Sequence, residues 1–64
     1  MHFSDILAKF FNMFPNYQNE VCLWSRGPHN TIKIKLLSGQ WLEFTYFNDK
    51  EWTLTSMNPN NRRV

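Results

Sequence analysis

TIKIKLLSGQWLEFTY, residues 31–46, is the stretch that decides the fold. Apolar and polar residues alternate in its first half, and they alternate again after Ser38-Gly39. Such alternation is typical of strands that bury one face and expose the other. The stretch therefore predicts an antiparallel hairpin. Its inner face carries Ile32, Ile34, Leu36, Leu42, Phe44 and Tyr46.

The length of the hairpin loop determines which residues face each other. A three-residue loop over 37–39, with Gly39 in the left-handed conformation, pairs Ile34 with Leu42 and keeps the apolar side chains on one face. A two-residue loop would shift the pairing by one residue and turn Leu42 toward the lysines. A four-residue loop beginning at Ser38 also keeps the faces aligned. The sequence alone does not decide between the register of the three-residue loop and that of the four-residue loop.

With the three-residue loop, the outer face of the hairpin brings Lys33 opposite Glu43 and Lys35 opposite Trp41. An opposite-charge pair and a cation over an indole each contribute roughly 0.2–1 kcal/mol at an exposed site. We therefore expect both contacts to form there.

Residues 1–14 place apolar side chains at the spacing of one helical face. Ser4 is a suitable N-cap, and Pro15 should end the helix after about ten residues. A helix this short must pack on the sheet to persist. Phe11 and Met13 fall outside the apolar stripe, so either the helix packs on two sides or these residues form a patch for a partner. The stripe itself contains Phe3, Ile6, Leu7, Phe10 and Phe14.

The segments that flank the hairpin complete a meander. Residues 20–25 favour a strand, with a short second helix from Pro15 as the alternative. After a turn at 48–50, residues 51–55 predict a last strand with Trp52 and Leu54 facing inward. The predicted fold is α+β, with an N-terminal amphipathic helix packed on a three- to four-stranded antiparallel β-meander. It forms one domain over 1–57, followed by a flexible basic tail at 58–64 that contains Arg62-Arg63.

Composition and residue spacing argue against a catalytic site or a metal site. The chain has 64 residues, a formal net charge of +2 and a single cysteine, so it has no internal disulfide. Neither His2 nor His29 is oriented by its neighbours, the acidic residues have structural explanations, and Cys22 is expected to be an inert small hydrophobe. We expect no enzymatic activity, no cofactor and no metal site. The sequence shows no membrane span and no signal peptide, and its one cysteine is unpaired, so the expected location is a reducing cytoplasm.

The remaining feature is the large number of aromatic residues, which are six Phe, three Trp and two Tyr. A short helix and a meander cannot easily enclose so many rings, and interface cores are rich in aromatic residues. A protein-binding module is therefore expected, with another protein or a second copy of the chain as its partner. The less favoured alternative is a binder of single-stranded nucleic acid, since cations and a ring share the outer face but Glu43 interrupts it. The candidate partner-binding residues are Lys33, Lys35, Trp41, Glu43 and Thr45 on the sheet, with Phe11 and Met13 on the helix.

A resemblance adds to this interpretation. It rests on aromatic and turn positions, which are Phe14-Pro15-Asn16-Tyr17, Trp24, Asn30-Thr31-Ile32-Lys33-Ile34-Lys35, Ser38-Gly39, Phe44-Thr45-Tyr46 and Asp49-Lys50-x-Trp52. At these positions the chain resembles a family of short uncharacterised proteins encoded by phages and prophages of Gram-positive bacteria. The resemblance implies a protein that binds and blocks a host enzyme, such as a CRISPR nuclease complex or a replication enzyme. Many inhibitors of this kind are acidic mimics of DNA, whereas this chain is slightly basic, so contact with a non-DNA surface is expected. Family members continue into a charged C-terminal helix, which residues 58–64 do not match.

Overall fold

A computed structural model describes residues 2–57 and confirms the α+β class. One helix packs on a four-stranded antiparallel sheet of order β1-β2-β3-β4. The predicted basic tail at 58–64 lies outside the described residues. The elements in chain order are α1 (Phe3–Met13), a 3₁₀ turn (Pro15–Tyr17), β1 (Val21–Arg26), β2 (Thr31–Leu36), β3 (Trp41–Asn48) and β4 (Glu51–Met57).

The β2–β3 hairpin has the three-residue loop. Ile34 lies opposite Leu42. The Leu36 N–H donates to the Gln40 carbonyl at 2.8 Å, and the Gly39 N–H donates to the Leu36 carbonyl at 2.9 Å. Gly39 has φ +93°, a conformation that glycine adopts at little cost. The open choice of loop length is thereby resolved in favour of the loop over 37–39.

Both expectations for the segment after the helix are partly met. Pro15 does begin a helical turn, but this turn is 3₁₀ and ends at Tyr17. The strand that follows is β1, and a bulge at Cys22 interrupts its pairing with β2. The bulge places Val21 and Leu23 on opposite faces, since Val21 pairs with Leu36 whereas Leu23 pairs with Lys35.

The helix begins two residues earlier than a Ser4 cap would allow, so that prediction was wrong. His2 is the N-cap, and its backbone N–H donates to the Asp5 carboxylate at 3.3 Å. Phe3 joins the helix and packs against the core, which adds apolar contact that a cap at Ser4 would lose. At the other end Phe14 has φ −131°, as expected for a residue before proline.

Aromatic packing between the helix and the sheet forms the core. The fully buried rings of Phe10 and Phe44 have centroids 5.4 Å apart. Phe10 also lies 5.7 Å from Tyr17, which joins the 3₁₀ turn to this cluster. Trp41 and Phe47 are the two rings that stand outside the packing between the layers. The helix and the meander therefore enclose most of the rings but not all of them, since Phe47 is 55% exposed and Trp52 is 38% exposed.

A polar contact joins the helix to the β3–β4 turn. The Tyr46 hydroxyl donates to Asp49 Oδ1 at 2.5 Å, and Lys9 Nζ lies 3.7 Å from the same oxygen. The hydrogen bond from Tyr46 and the charge of Lys9 lower the pKa of Asp49 from its ordinary 3.8. The same hydrogen bond, together with burial, raises the pKa of Tyr46 from its ordinary 10.0. We call these three residues the Lys9–Tyr46–Asp49 contact.

Truncation of the central ring should unfold much of the protein. Phe10→Ala removes a fully buried ring, and such changes cost about 3–5 kcal/mol. A core of this size supplies roughly that much net stability. We expect urea denaturation followed by circular dichroism to show a largely unfolded Phe10→Ala variant. The matched control is Phe47→Ala, where the ring is 55% exposed and the expected loss is below about 1 kcal/mol.

The Lys9–Tyr46–Asp49 contact should contribute to stability only between acid and alkaline limits. The lowered pKa of Asp49 means that its contribution is present above about pH 4 and is lost as pH falls through the folded-state pKa. The raised pKa of Tyr46 means that its contribution is present below about pH 10 and is lost as pH rises through the folded-state pKa.

Urea midpoints measured across this pH range test that expectation with two variants. In Asp49→Asn the loss of stability below about pH 4 should be shallower than in the wild type. In Tyr46→Phe the ring is kept and the alkaline loss should be reduced. Parallel acid limbs in the wild type and Asp49→Asn would show that Asp49 is not held by this contact.

Candidate functional site

The face of the sheet opposite the helix has no covering layer within residues 2–57. We call it the outer face. Strand pairing arranges its side chains in rows that cross the sheet, because directly opposed residues point to the same side. One row is Ser25, Lys33, Glu43 and Thr55, the next is Leu23, Lys35 and Trp41, and a third is Thr31, Thr45 and Thr53. The structure thus brings together the five candidate residues predicted on the sheet.

The charged side chains at the centre of the outer face lie where the register prediction put them. Lys33 is opposite Glu43 and Lys35 is opposite Trp41. Among the residues that the structure describes, however, the salt bridge that forms joins Lys9 to Asp49. The cation–ring contacts there are Lys9 over Tyr46 and Arg26 over Phe3.

The predicted pairings of Lys33 with Glu43 and of Lys35 with Trp41 are therefore confirmed, but the ion pair and the cation–ring contact expected between them are not formed. Opposed positions on a sheet bring Cβ atoms together, but long side chains keep freedom in where their charged ends lie. As a result, no counter-charge within residues 2–57 holds the ends of Lys33, Lys35 or Glu43. These groups remain available to a partner.

At one end of the outer face, threonine hydroxyl groups are hydrogen-bonded to each other and to a backbone carbonyl. Thr31 is buried, and its Oγ1 lies 3.2 Å from the His29 carbonyl, to which it donates. Thr31 Oγ1 also lies 2.7 Å from Thr45 Oγ1. A hydroxyl has one proton, so Thr45 must be the donor in this second bond. The hydroxyl proton of Thr45 is thus already engaged, and Thr45 can offer a partner its methyl group and an acceptor lone pair.

Leu23 and the threonines of β4 extend the outer face beyond the predicted residues. Leu23 is 53% exposed and faces outward only because of the bulge at Cys22. No sequence signal marks that bulge. Thr53 and Thr55, by contrast, follow from the same alternation that points Trp52 and Leu54 inward.

The two candidate residues on the helix lie on the other side of the sheet. Phe11 and Met13 are half-buried and pack against the core, and the Phe11 ring centroid is 5.8 Å from that of Phe10. This placement agrees with a helix that packs on two sides. A single flat partner surface could not contact these residues and the outer face together. Their role in binding stays a prediction.

The other reactive side chains are scattered. Cys22 is exposed at the bulge, with Sγ 3.7 Å from the Leu36 carbonyl. Within residues 2–57, no three His, Cys, Asp or Glu side chains gather in a way that could hold a metal ion. The single helix in this range has 11 residues, too few to cross a membrane.

Comparisons of the chain with protein-family models, with characterised proteins and with solved structures found no match.

Removal of the outer-face charges should leave the fold intact. We expect Lys33→Ala, Lys35→Ala and Glu43→Ala each to change the free energy of unfolding by less than about 1 kcal/mol, because these half-buried side chains lie at the surface and charged surface groups without an ion-pair partner stabilise little. Urea denaturation of the three variants gives the measurement. A larger loss in any of them would mean that its charge stabilises the sheet and is not available for binding.

Proposed function

We propose that this chain is a non-catalytic protein-binding module whose outer face docks on a host protein. The observation that supports this function is the combination found at the centre of that face. Trp41 is half-exposed beside Lys35, and the charges of Lys33, Lys35 and Glu43 have no counter-charge within the described residues. A large ring surrounded by charged groups is the arrangement that binding hot spots favour.

The area of the outer face suits a compact contact. Four strands spaced about 4.8 Å apart, each about 20 Å long, give a projected area of about 400 Å². A standard protein interface buries about 800 Å² on each partner. One outer face alone thus matches the small end of specific interfaces. Its affinity would depend on Trp41 filling a pocket and on well-matched charges.

The target class comes from the resemblance to phage-encoded accessory proteins. We propose that the chain inhibits a bacterial defence enzyme, such as a CRISPR nuclease complex, or a replication enzyme, in the cytoplasm of the host. Two lysines and one glutamate at the centre of the outer face do not imitate the charge of a nucleic acid. Inhibition would therefore act by protein contact away from the nucleic-acid site or by holding one conformation of the enzyme.

One observation favours a second candidate, the binding of single-stranded nucleic acid. Lys35 and Trp41 are direct neighbours on an open sheet, and single-strand binders stack bases on such rings while cations meet the phosphates. Glu43 in the adjacent row opposes this function, because a carboxylate repels the phosphate backbone. The protein-binding function is therefore preferred.

A tagged pull-down from bacterial lysate, with and without nuclease treatment, should separate the two functions. We expect the wild type to retain one stoichiometric protein after nuclease treatment, as read by mass spectrometry. Lys35→Glu combined with Trp41→Ala should fold normally and lose that protein, since it reverses a charge and removes the ring. The control is Lys50→Glu, the same charge reversal at an exposed turn residue, which should keep the protein.

Two results would count against the protein-binding function. A folded Lys35→Glu/Trp41→Ala variant that keeps the captured protein would remove the outer face from the proposal. Loss of all captured material on nuclease treatment would favour the nucleic-acid function, which would then require a salt-sensitive affinity of the wild type for oligonucleotides.

A further inference from the structure

The sheet has two edge strands, and they differ in how well they are protected. Natural monomers block sheet edges with bulges, charges or prolines, because unpaired backbone groups recruit other strands. The β1 edge has the bulge at Cys22, carries Arg26 and runs into Gly27-Pro28. The β4 edge begins at the charged Glu51 and is followed in the sequence by Asn58-Pro59, but between Trp52 and Met57 it has no bulge, charge or proline, and its pairing with β3 over those residues is uninterrupted.

The side chains of β4 that point toward the helix are incompletely covered. Every residue of the buried core lies on the helix, on β2 or on β3. Leu54 is only half-buried, and Trp52 is 38% exposed. Apolar surface therefore lies beside the unprotected edge. A further strand placed about 4.8 Å beyond β4 would cover part of it.

The geometry points to a second copy of this chain as the occupant of this edge. We infer that two β4 strands pair antiparallel about a two-fold axis at Leu54, which joins two sheets into one of eight strands. In this register Leu54 meets its own copy, Thr53 meets Thr55 of the second copy, and Trp52 meets Ser56 of the second copy. Inward residues meet inward residues, and outward residues meet outward ones, as a buried face requires.

Charge does not oppose a second copy at this edge as it does elsewhere on the surface. The chain has a net charge of +2, so most surfaces of two copies repel each other weakly. The seam between Trp52 and Met57 carries no charged residue, and in the register centred on Leu54 no like charges are opposed. The seam is only about 20 Å long, so the dimer should be reversible and depend on protein concentration.

The pairing would enlarge the outer face. An antiparallel two-fold of this kind keeps both helices on one side of the joined sheet. Two outer faces then lie side by side on the other side, with a combined projected area of about 800 Å², the size of a standard interface. The pairing itself does not depend on the proposed function.

The test is the mass of the full chain by light scattering or sedimentation, over about 5–500 μM. We expect the wild type to move from the 7.8 kDa of one chain toward twice that mass as concentration rises. Thr53→Lys combined with Thr55→Lys places lysines opposite lysines across the seam, so this variant should keep the mass of one chain at every concentration. Circular dichroism verifies that it is folded.

A mixing experiment makes the register itself testable. Thr53→Glu combined with Thr55→Glu should also stay at the mass of one chain when alone, because the carboxylates face each other. An equimolar mixture of the lysine and glutamate variants should restore the two-chain mass, since each lysine then meets a glutamate. Neither variant alters the β1 edge. Leu23→Lys places a lysine on that edge as a control, and this variant should dimerise like the wild type.

Three results would overturn the inference. The first is a wild type that keeps the mass of one chain up to the highest concentration. The second is a dimer that persists in both the lysine and the glutamate variants. The third is a mixture of the two variants that does not recover the two-chain mass.

Discussion

The contact between the rings of Phe10 and Phe44 is the constraint on which the rest of the fold depends. Phe10 lies on the helix, Phe44 lies on a central strand, and neither ring is exposed to solvent. The chain has a single cysteine, so no internal disulfide reinforces this contact. A helix of 11 residues has little stability by itself, and its packing on Phe44 supplies what the peptide lacks. The 3₁₀ turn joins the same cluster through Tyr17.

Because the apolar residues are concentrated between the helix and the sheet, the opposite face of the sheet is left without a covering layer in the described residues. A domain of this size buries only about 60% of the surface of its unfolded chain, so it can cover one face of a sheet well and hardly both. Nearly all the rings lie between the helix and the sheet. The opposite face is left with Trp41, threonines and charged side chains. The open face thus follows from the size of the domain as much as from any binding role.

Much of the fold could be predicted because the deciding signals are local. Alternation determines which residues face inward, and the three residues before Gln40 determine the register from Lys33 to Glu43. The bulge at Cys22 could not be predicted, since a bulge depends on how two strands accommodate each other and leaves no mark in composition. The start of the helix was missed for a related reason, because packing of Phe3 outweighed the intrinsic preference of Ser4 for a cap.

Contacts between side chains of distant elements were the least predictable part. Lys9, Tyr46 and Asp49 come together only once the helix lies on the sheet, so their spacing in the chain carries no signal. The opposite error arose at Lys35 and Trp41, where correct strand neighbours did not produce a cation over a ring. Strand register determines the positions of the Cβ atoms, whereas the positions of the ends of long side chains depend on the other groups within their reach.

The strict alternation along β2 and β3 also has an evolutionary consequence. Core and outer positions are interleaved one by one, so a single substitution at Lys33, Lys35 or Trp41 changes what the outer face presents and leaves the buried side untouched. Surface substitutions of this kind usually alter stability by only about 0.5 kcal/mol. The chemistry of the outer face can therefore change through successive single mutations, each of which leaves a folded protein on which selection can act.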